Sequence, residues 1–168
     1  MGERMRPIVV MGVAGAGKTT IAVRLAEALG VAYAEGDDFH PAANVAKMSA
    51  GIPLDDADRA PWLDIIADWL VAHRDGVVSC SALKRRYRDR LRAASPELFL
   101  VYPAVPPAEL ERRLTTRAGH FMRADMLASQ LADLEPPADD EAGLTGDGTG
   151  DVETMIEQIR AALAAQPR

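Results

Sequence analysis

Residues Gly12, Val13, Ala14, Gly15, Ala16, Gly17, Lys18 and Thr19 satisfy the pattern G-x-x-x-x-G-K-[ST], and a second threonine, Thr20, follows at once. The spacing has a chemical reason. Small residues let consecutive backbone N–H groups turn inward around phosphate oxygens, where bulky side chains would block them. A helix beginning at the same point adds the positive end of its dipole. Lys18 can then reach β- and γ-phosphates, and the Thr19 hydroxyl can ligate Mg²⁺. The pattern also lies in its required context, after an apolar run and at the start of an amphipathic helix. The order of Gly12, Gly15 and Gly17 does not fit the dinucleotide pattern G-x-G-x-x-G. Residues 12–20 therefore predict a loop for the phosphates of ATP. A glycine-rich turn that binds nothing is the bland alternative, and motif and context together disfavour it. The loop does not name the acceptor.

A second group of chemistry-bearing residues follows the next apolar run: Glu35, Asp37 and Asp38. A hydrolytic switch or motor usually ends a later strand in a magnesium-holding aspartate. Here the third run ends in Ser79-Cys80-Ser81 and the fourth in Tyr102-Pro103-Ala104, so neither supplies that acid. The carboxylates after the second run would instead sit at the C-terminal edge of a sheet, facing the phosphates. One can hold Mg²⁺ through water, and another can accept the proton of an attacking hydroxyl. A solvated acidic turn that caps the next helix is the competing reading.

The elements that must position these groups are read from periodicity. Short apolar runs at 7–11 (PIVVM), 31–34 (VAYA), 76–80 (GVVSC) and 98–102 (LFLVY) alternate with helical patterns, which predicts an α/β domain with a parallel sheet. Helices are expected from the loop to Leu29 with Gly30 as the stop, over 40–50, through Trp62, Ile66, Trp69 and Leu70 with Pro61 in the first turn, over 83–94, 106–114 and 124–134, and through Val152 to Leu163. Pro136-Pro137 opens a Gly- and Asp-rich segment reaching Asp151 that is expected to be mobile, with Leu144 alone marking a fifth strand. Trp62 and Trp69 read as core, and Cys80 as a buried small residue rather than a nucleophile.

Size and charge narrow the classes. The 168 residues suit one domain, and a net charge of −6 disfavours a broad grip on nucleic acid. A single cysteine excludes an internal disulfide framework, the three histidines lack ligand spacing, and no apolar run is long enough to span a membrane. A cytoplasmic location is the expectation.

Five stretches resemble the gluconokinases, a family of small P-loop kinases: residues 12–20; 35–41 (EGDDFHP) with 44–48 (NVAKM); 51–59 (GIPLDDADR) with Pro61-Trp62; 80–84 (CSALK) with Tyr87-Arg88; and 117–122 (RAGHFM) with Met126-Leu127 and Ser129-Gln130. The likeness runs from about residue 8 to 135. It implies a single P-loop kinase domain over 1–168, of three-layer α/β/α form with a five-stranded parallel sheet and a mobile lid at about 115–135. It also implies transfer of phosphate from ATP, with Mg²⁺, to the 6-position of D-gluconate, no nucleic-acid or membrane partner, and a homodimer. By similarity to shikimate and adenylylsulfate kinases, Asp37 contacts the acceptor hydroxyl and Glu35 holds Mg²⁺ through water. Departures are Ala14 and Ala16, where serine is common, and Pro103-Ala104 after the fourth strand.

The residue chemistry is compatible with that picture. A sugar acid needs cations and hydrogen-bonding groups together. Arg59 can grip a carboxylate with its fork, Lys84 lies at a strand-to-helix turn, and Arg88 shares its helix face. His40 and Asn44 add polar contacts. Most of the remaining basic residues at 85–92 are expected on a solvated face. Arg113, Arg117 and Arg123 are lid candidates, with Arg117 first, able to close over the phosphates and exclude water. Lys18, Asp37 and Arg117 are the expected catalytic set. The rivals are a kinase for another anion of the shikimate or adenylylsulfate kind, and an ATP-binding sensor that transfers nothing.

Overall fold

The computed structural model describes residues 6–116 and 124–166. Arg117 and Arg123, with Gly119 and the His120-Phe121-Met122 run, lie outside the described residues.

Five parallel strands form one sheet: β1 (Ile8–Val10), β2 (Tyr33–Glu35), β3 (Val77–Ser79), β4 (Phe99–Ala104) and β5 (Gly143–Asp147), in the order β2-β3-β1-β4-β5. Seven helices accompany them among the described residues: α1 (Lys18–Leu29), α2 (Ala42–Ser49), α3 (Asp56–Ala72), α4 (Arg85–Ala94), α5 (Pro107–Thr116), α6 (Ala124–Asp133) and α7 (Val152–Ala165). The expected α/β architecture with five parallel strands is the observed one. Of the stretch read as a lid, the described part comprises the end of α5 and all of α6.

Alternation along the strands builds two cores, because successive side chains leave a strand on opposite faces. Val9, Val78 and Leu100 point to one face and pack with Trp62, Leu63, Ile66 and Leu70 of α3 and Tyr87 and Leu91 of α4. Ile8, Val10, Val77, Phe99 and Val101 point to the other and pack with Ile21 and Leu25 of α1 and Ile156, Ile159 and Leu163 of α7. A third, smaller cluster of Val13, Ala16, Leu83, Leu110 and Leu127 seats α5 and α6 on the loop after β1. Cys80 is buried as expected, and burial pushes its thiol up to about 12, which leaves it inert.

Two expectations change. The Gly- and Asp-rich segment is not a mobile loop throughout, because it forms β5, paired with β4 from Leu100↔Gly143 to Ala104↔Asp147. Its glycines serve close approach: Gly143 has φ 154°, and a Cβ there would lie 2.1 Å from the Leu100 carbonyl oxygen. Helix α3 starts at Asp56, where Asp55 and Asp58 form a reciprocal capping box. Pro61 consequently lies inside the helix rather than in its first turn.

The strand order places β1 at the point where connections diverge to either side. The turns following β1, β2 and β3 meet there, at the C-terminal edge where ligands of such sheets bind.

Candidate active site

The loop after β1 begins with Gly12 and leads directly into α1, with Gly15 at φ 84° and Gly17 at φ 88°. These left-handed values suit glycine and turn the peptide N–H groups inward. The Lys18 ammonium folds back to donate to the Val13 carbonyl at 3.0 Å, so it lies over the loop it is meant to serve. Thr19 Oγ1 donates to Glu35 Oε2 at 2.6 Å, joining the loop to the end of β2. Glu35 also accepts from the Tyr33 hydroxyl at 2.9 Å. Burial would raise the Glu35 pKa, but the hydrogen bonds from Thr19, Ser79 and Tyr33 outweigh it and hold the carboxylate below its ordinary value.

After β2, residues Gly36–Phe39 make a single 3₁₀ turn. Trp62 of α3 fixes it by donating Nε1–H to the Gly36 carbonyl at 2.7 Å. Asp37 projects from this turn into a cavity of about 240 Å³ that is also lined by Lys18, Thr19, Glu35, His40, Arg59 and Gln130. Asp37 is open to solvent along that cavity, yet walled by protein on most sides. This partial desolvation raises its pKa, opposed by the Lys18 ammonium and assisted by the Glu35 and Asp38 carboxylates. A carboxylate raised in this way is a better proton acceptor than an ordinary surface aspartate.

His40 stacks on Trp62, with ring centroids 4.3 Å apart and 13° between planes. Its Nδ1 faces the Asn44 amide nitrogen at 3.2 Å. Because that amide group is a donor, Nδ1 accepts and the proton resides on Nε2. Burial, reinforced by the Arg59 charge, pushes the imidazole down to about 4, so His40 is a neutral donor at physiological pH.

The cationic residues divide. Arg59 lines the cavity, with Nη1 donating to the Tyr87 hydroxyl at 2.7 Å and to Asp133 Oδ2 at 3.0 Å. Burial disfavours its charge, but these two bonds outweigh that and raise its pKa. Lys84 is not on the cavity wall and instead pairs with Asp56 at 3.2 Å. Arg88 is corrected outright. It is fully buried, with Nε and Nη2 on the Glu141 carboxylate at 2.8 and 3.0 Å and Nη1 on the Ala82 and Leu83 carbonyls. All three guanidinium nitrogens are engaged by protein and the side chain has no exposed surface, so Arg88 is not a substrate ligand. The other basic residues of α4 also meet acids: Arg85 with Asp140, Arg86 with Asp56, Arg90 with Asp64, and Arg92 with Asp89 and Glu141.

Sequence reasoning missed several contributors. Gln130 of α6 accepts from the Ala14 N–H of the phosphate loop at 2.8 Å, though its position had entered only as part of a resemblance. Arg113 of α5, a lid candidate, is tied to two backbone carbonyls. Its Nη1 donates to the Gly15 carbonyl at 2.8 Å and its Nη2 to the Gly148 carbonyl at 2.9 Å. It thereby floors a second cleft of about 170 Å³ between the phosphate loop and the β5–α7 connection. Trp62, read as core, is core and cavity wall at once.

A family profile described as an AAA domain matches residues 8–137. The chain is 48% identical over 163 residues to the gluconokinase of Gluconobacter oxydans (strain 621H), covering 95% of this chain and 92% of that one. It is 40% identical over 162 residues to the thermosensitive gluconokinase of Escherichia coli (strain K12), covering 94% and 87%. The crystal structure of a gluconokinase from Sinorhizobium meliloti 1021 matches with a TM-score of 0.89 at 42% identity, over 96% of this chain and 94% of that one.

Proposed function

This chain belongs to the gluconokinase family and is an ATP-dependent phosphotransferase acting on gluconate, and we propose how its residues divide the transfer of the γ-phosphate to the 6-hydroxyl. The observation that carries the proposal is one cavity bordered by both the phosphate loop and Asp37. The acceptor hydroxyl lies beside Asp37, which orients it and takes its proton as the phosphoryl group arrives. Backbone N–H groups of residues 12–20 cradle the phosphates, and Lys18 moves from the Val13 carbonyl to the phosphate oxygens. The gluconate carboxylate meets Arg59, while Nε2–H of His40 donates to a hydroxyl of the chain.

Thr19 and Glu35 are hard oxygen donors that suit Mg²⁺. Thr19 would hold the ion directly and Glu35 through water, and the ion would supply positive charge at the β- and γ-phosphates. The nucleoside occupies the second cleft, over Arg113 and beside Gly148. The lid expected at about 115–135 of this single kinase domain, with Arg117 and Arg123 excluding water from the phosphates, belongs to the same proposal, and both arginines lie outside the described residues. A homodimer belongs to the same proposal and rests on the family resemblance. A reducing, cytoplasmic setting suits the lone buried thiol of Cys80. No helix among the described residues is long and apolar enough to cross a membrane.

The test is a coupled ADP-release assay with gluconate, shikimate, adenylylsulfate or no acceptor, on wild-type protein and Asp37→Asn. Gluconate alone should stimulate release strongly. Asp37→Asn should lower kcat on the order of 10²–10⁴-fold with ATP binding retained. Full turnover by Asp37→Asn, or ADP release indifferent to gluconate, would overturn the assignment.

A further inference from the structure

Arg59 is held from one side only. Its Nη1 serves both Tyr87 and Asp133, whereas Nε and Nη2 have no partner among the described residues. Arg59 lines the cavity, but Tyr87, Lys84 and Asp133 stand behind it. The backing is itself tied down. The Tyr87 hydroxyl donates to Asp56 Oδ1 at 2.5 Å, and the Lys84 ammonium lies 3.2 Å from Asp56 and 3.9 Å from Asp133. Carboxylates and cations therefore alternate behind the guanidinium. The Tyr87 ring also lies against it, 5.3 Å from Cζ to the ring centroid.

A guanidinium is a rigid planar fork, so fixing one terminal nitrogen by two bonds fixes the direction of the others. The remaining pair, Nε and Nη2, matches the two oxygens of a carboxylate. We infer that Asp133 and Tyr87 are positioning residues that aim the Nε–Nη2 edge of Arg59 at the carboxylate of the acceptor. This rests on the reading of gluconate as acceptor given above. Lys84 in this arrangement is no ligand. It lies between Asp56 and Asp133 and offsets their charge together with Arg59 and Arg86.

Helix α6 explains why Asp133 suits the task. Gln130 and Asp133 are spaced i, i+3 and share one face of the helix. Gln130 accepts from the phosphate loop at Ala14, and Asp133 accepts from Arg59. A single rigid element thus registers the carboxylate-holding arginine against the loop that holds the phosphate to be transferred. A misplacement of a positioning group by about 1 Å can cost on the order of 10²-fold in rate.

The experiment compares wild type, Asp133→Asn and Tyr87→Phe, measuring kcat and KM for gluconate, KM for ATP, Tm, and kcat/KM for D-glucitol, a neutral polyol lacking the carboxylate. Asp133→Asn keeps the size but loses the charge-assisted bond, so KM for gluconate should rise about 10-fold. KM for ATP should stay within about twofold, as expected for a change confined to the acceptor half. Preference for gluconate over D-glucitol should fall by the same factor as the rise in KM. Tyr87→Phe should show the same pattern at about 3-fold, and carries the test if Asp133→Asn lowers Tm severely. An unchanged KM for gluconate overturns the inference. So does a lower KM, which would make Asp133 a competitor of the substrate, or an equal loss with D-glucitol, which would make the role merely structural. Wild-type protein inactive on gluconate would overturn the underlying reading as well, whereas wild-type activity with indifferent variants removes only the inference.

Discussion

Arg59 and Arg88 look alike by burial and differ in what they have left to offer. They are 7% and 0% exposed, and each meets a carboxylate from the C-terminal half of the chain. Arg88 has every nitrogen engaged: Glu141 takes Nε and Nη2, and two carbonyls take Nη1. Those carbonyls belong to the turn between β3 and α4, where Ala82 has a φ of 42°. Left-handed backbone is unfavourable for alanine by about 1–2 kcal/mol, so the turn needs such a fastening. Glu141 completes it by also accepting from Ala138 N–H at 2.9 Å and from Arg92. Arg59 keeps one edge unengaged at a cavity. A buried cation fully satisfied by protein maintains architecture, whereas one with donors left over at a cavity wall is built to receive something.

The most severe test of this contrast is Arg88→Met. It leaves the buried Glu141 with Arg92 as its one remaining cation among the described residues and the Ala138 N–H, and removing one partner of a buried pair typically destabilises by about 3–5 kcal/mol. Urea denaturation should show that loss, while the protein that remains folded keeps the wild-type KM for gluconate. Arg59→Ala should do the reverse. Two charge-assisted bonds to a carboxylate vanish, so KM for gluconate should rise about 100-fold while the urea midpoint moves little. An exchange of these two phenotypes would dissolve the distinction.

A gentler probe is acid. Bonds to Arg88 and Arg92 and from Ala138 N–H outweigh burial and hold the Glu141 carboxyl down to about 2. Its folded pKa lies below the unfolded value of about 4.3, so its contribution is present above that value and is lost as pH falls toward 2. Wild-type stability should therefore decline more steeply than that of Glu141→Gln across this window, followed by urea midpoints at successive pH values.

The phosphate half of the site was legible because its function is written in consecutive residues. Loop, strand and helix occur within residues 8–29, and local rules of turn and helix geometry suffice to read them. The acidic turn was legible for the same reason. The acceptor half joins α2, α3, α4 and α6, and its decisive facts are pairings over long separations. Asp133 is an unremarked acid at the end of a helix until Arg59 meets it, and Glu141 lay in a segment read as loop. Periodicity put Lys84 and Arg88 on one helix face, but Lys84 is the extended cap before α4 and pairs with Asp56, while Arg88 turns inward to the buried Glu141. Segment 143–147 was legible in part: Leu144 marked the fifth strand, but small residues that permit close strand and helix packing carry the same composition as flexible linkers.

The smallest effect we expect uses His40 as a reporter of which arginine the cavity feels. Burial first, and the Arg59 charge second, depress its pKa to about 4. Replacing Arg59 with Met removes only the second cause, so the His40 pKa should rise, yet stay below the unperturbed value of about 6.5 because burial remains. Arg88→Met, studied where it is folded, should leave that titration where it was, since the Arg88 charge is neutralised by Glu141 outside the cavity. Proton NMR of the His40 ring over pH 3–8 reads both. The linkage has a definite sign: with the folded pKa depressed, the unfolded chain binds the extra proton, and wild-type stability falls as pH drops from about 6.5 toward 4. Arg59→Met should soften that fall slightly. Equal responses to the two substitutions would mean that both charges reach the cavity, and the division between a receiving arginine and a fastening one would have to be abandoned.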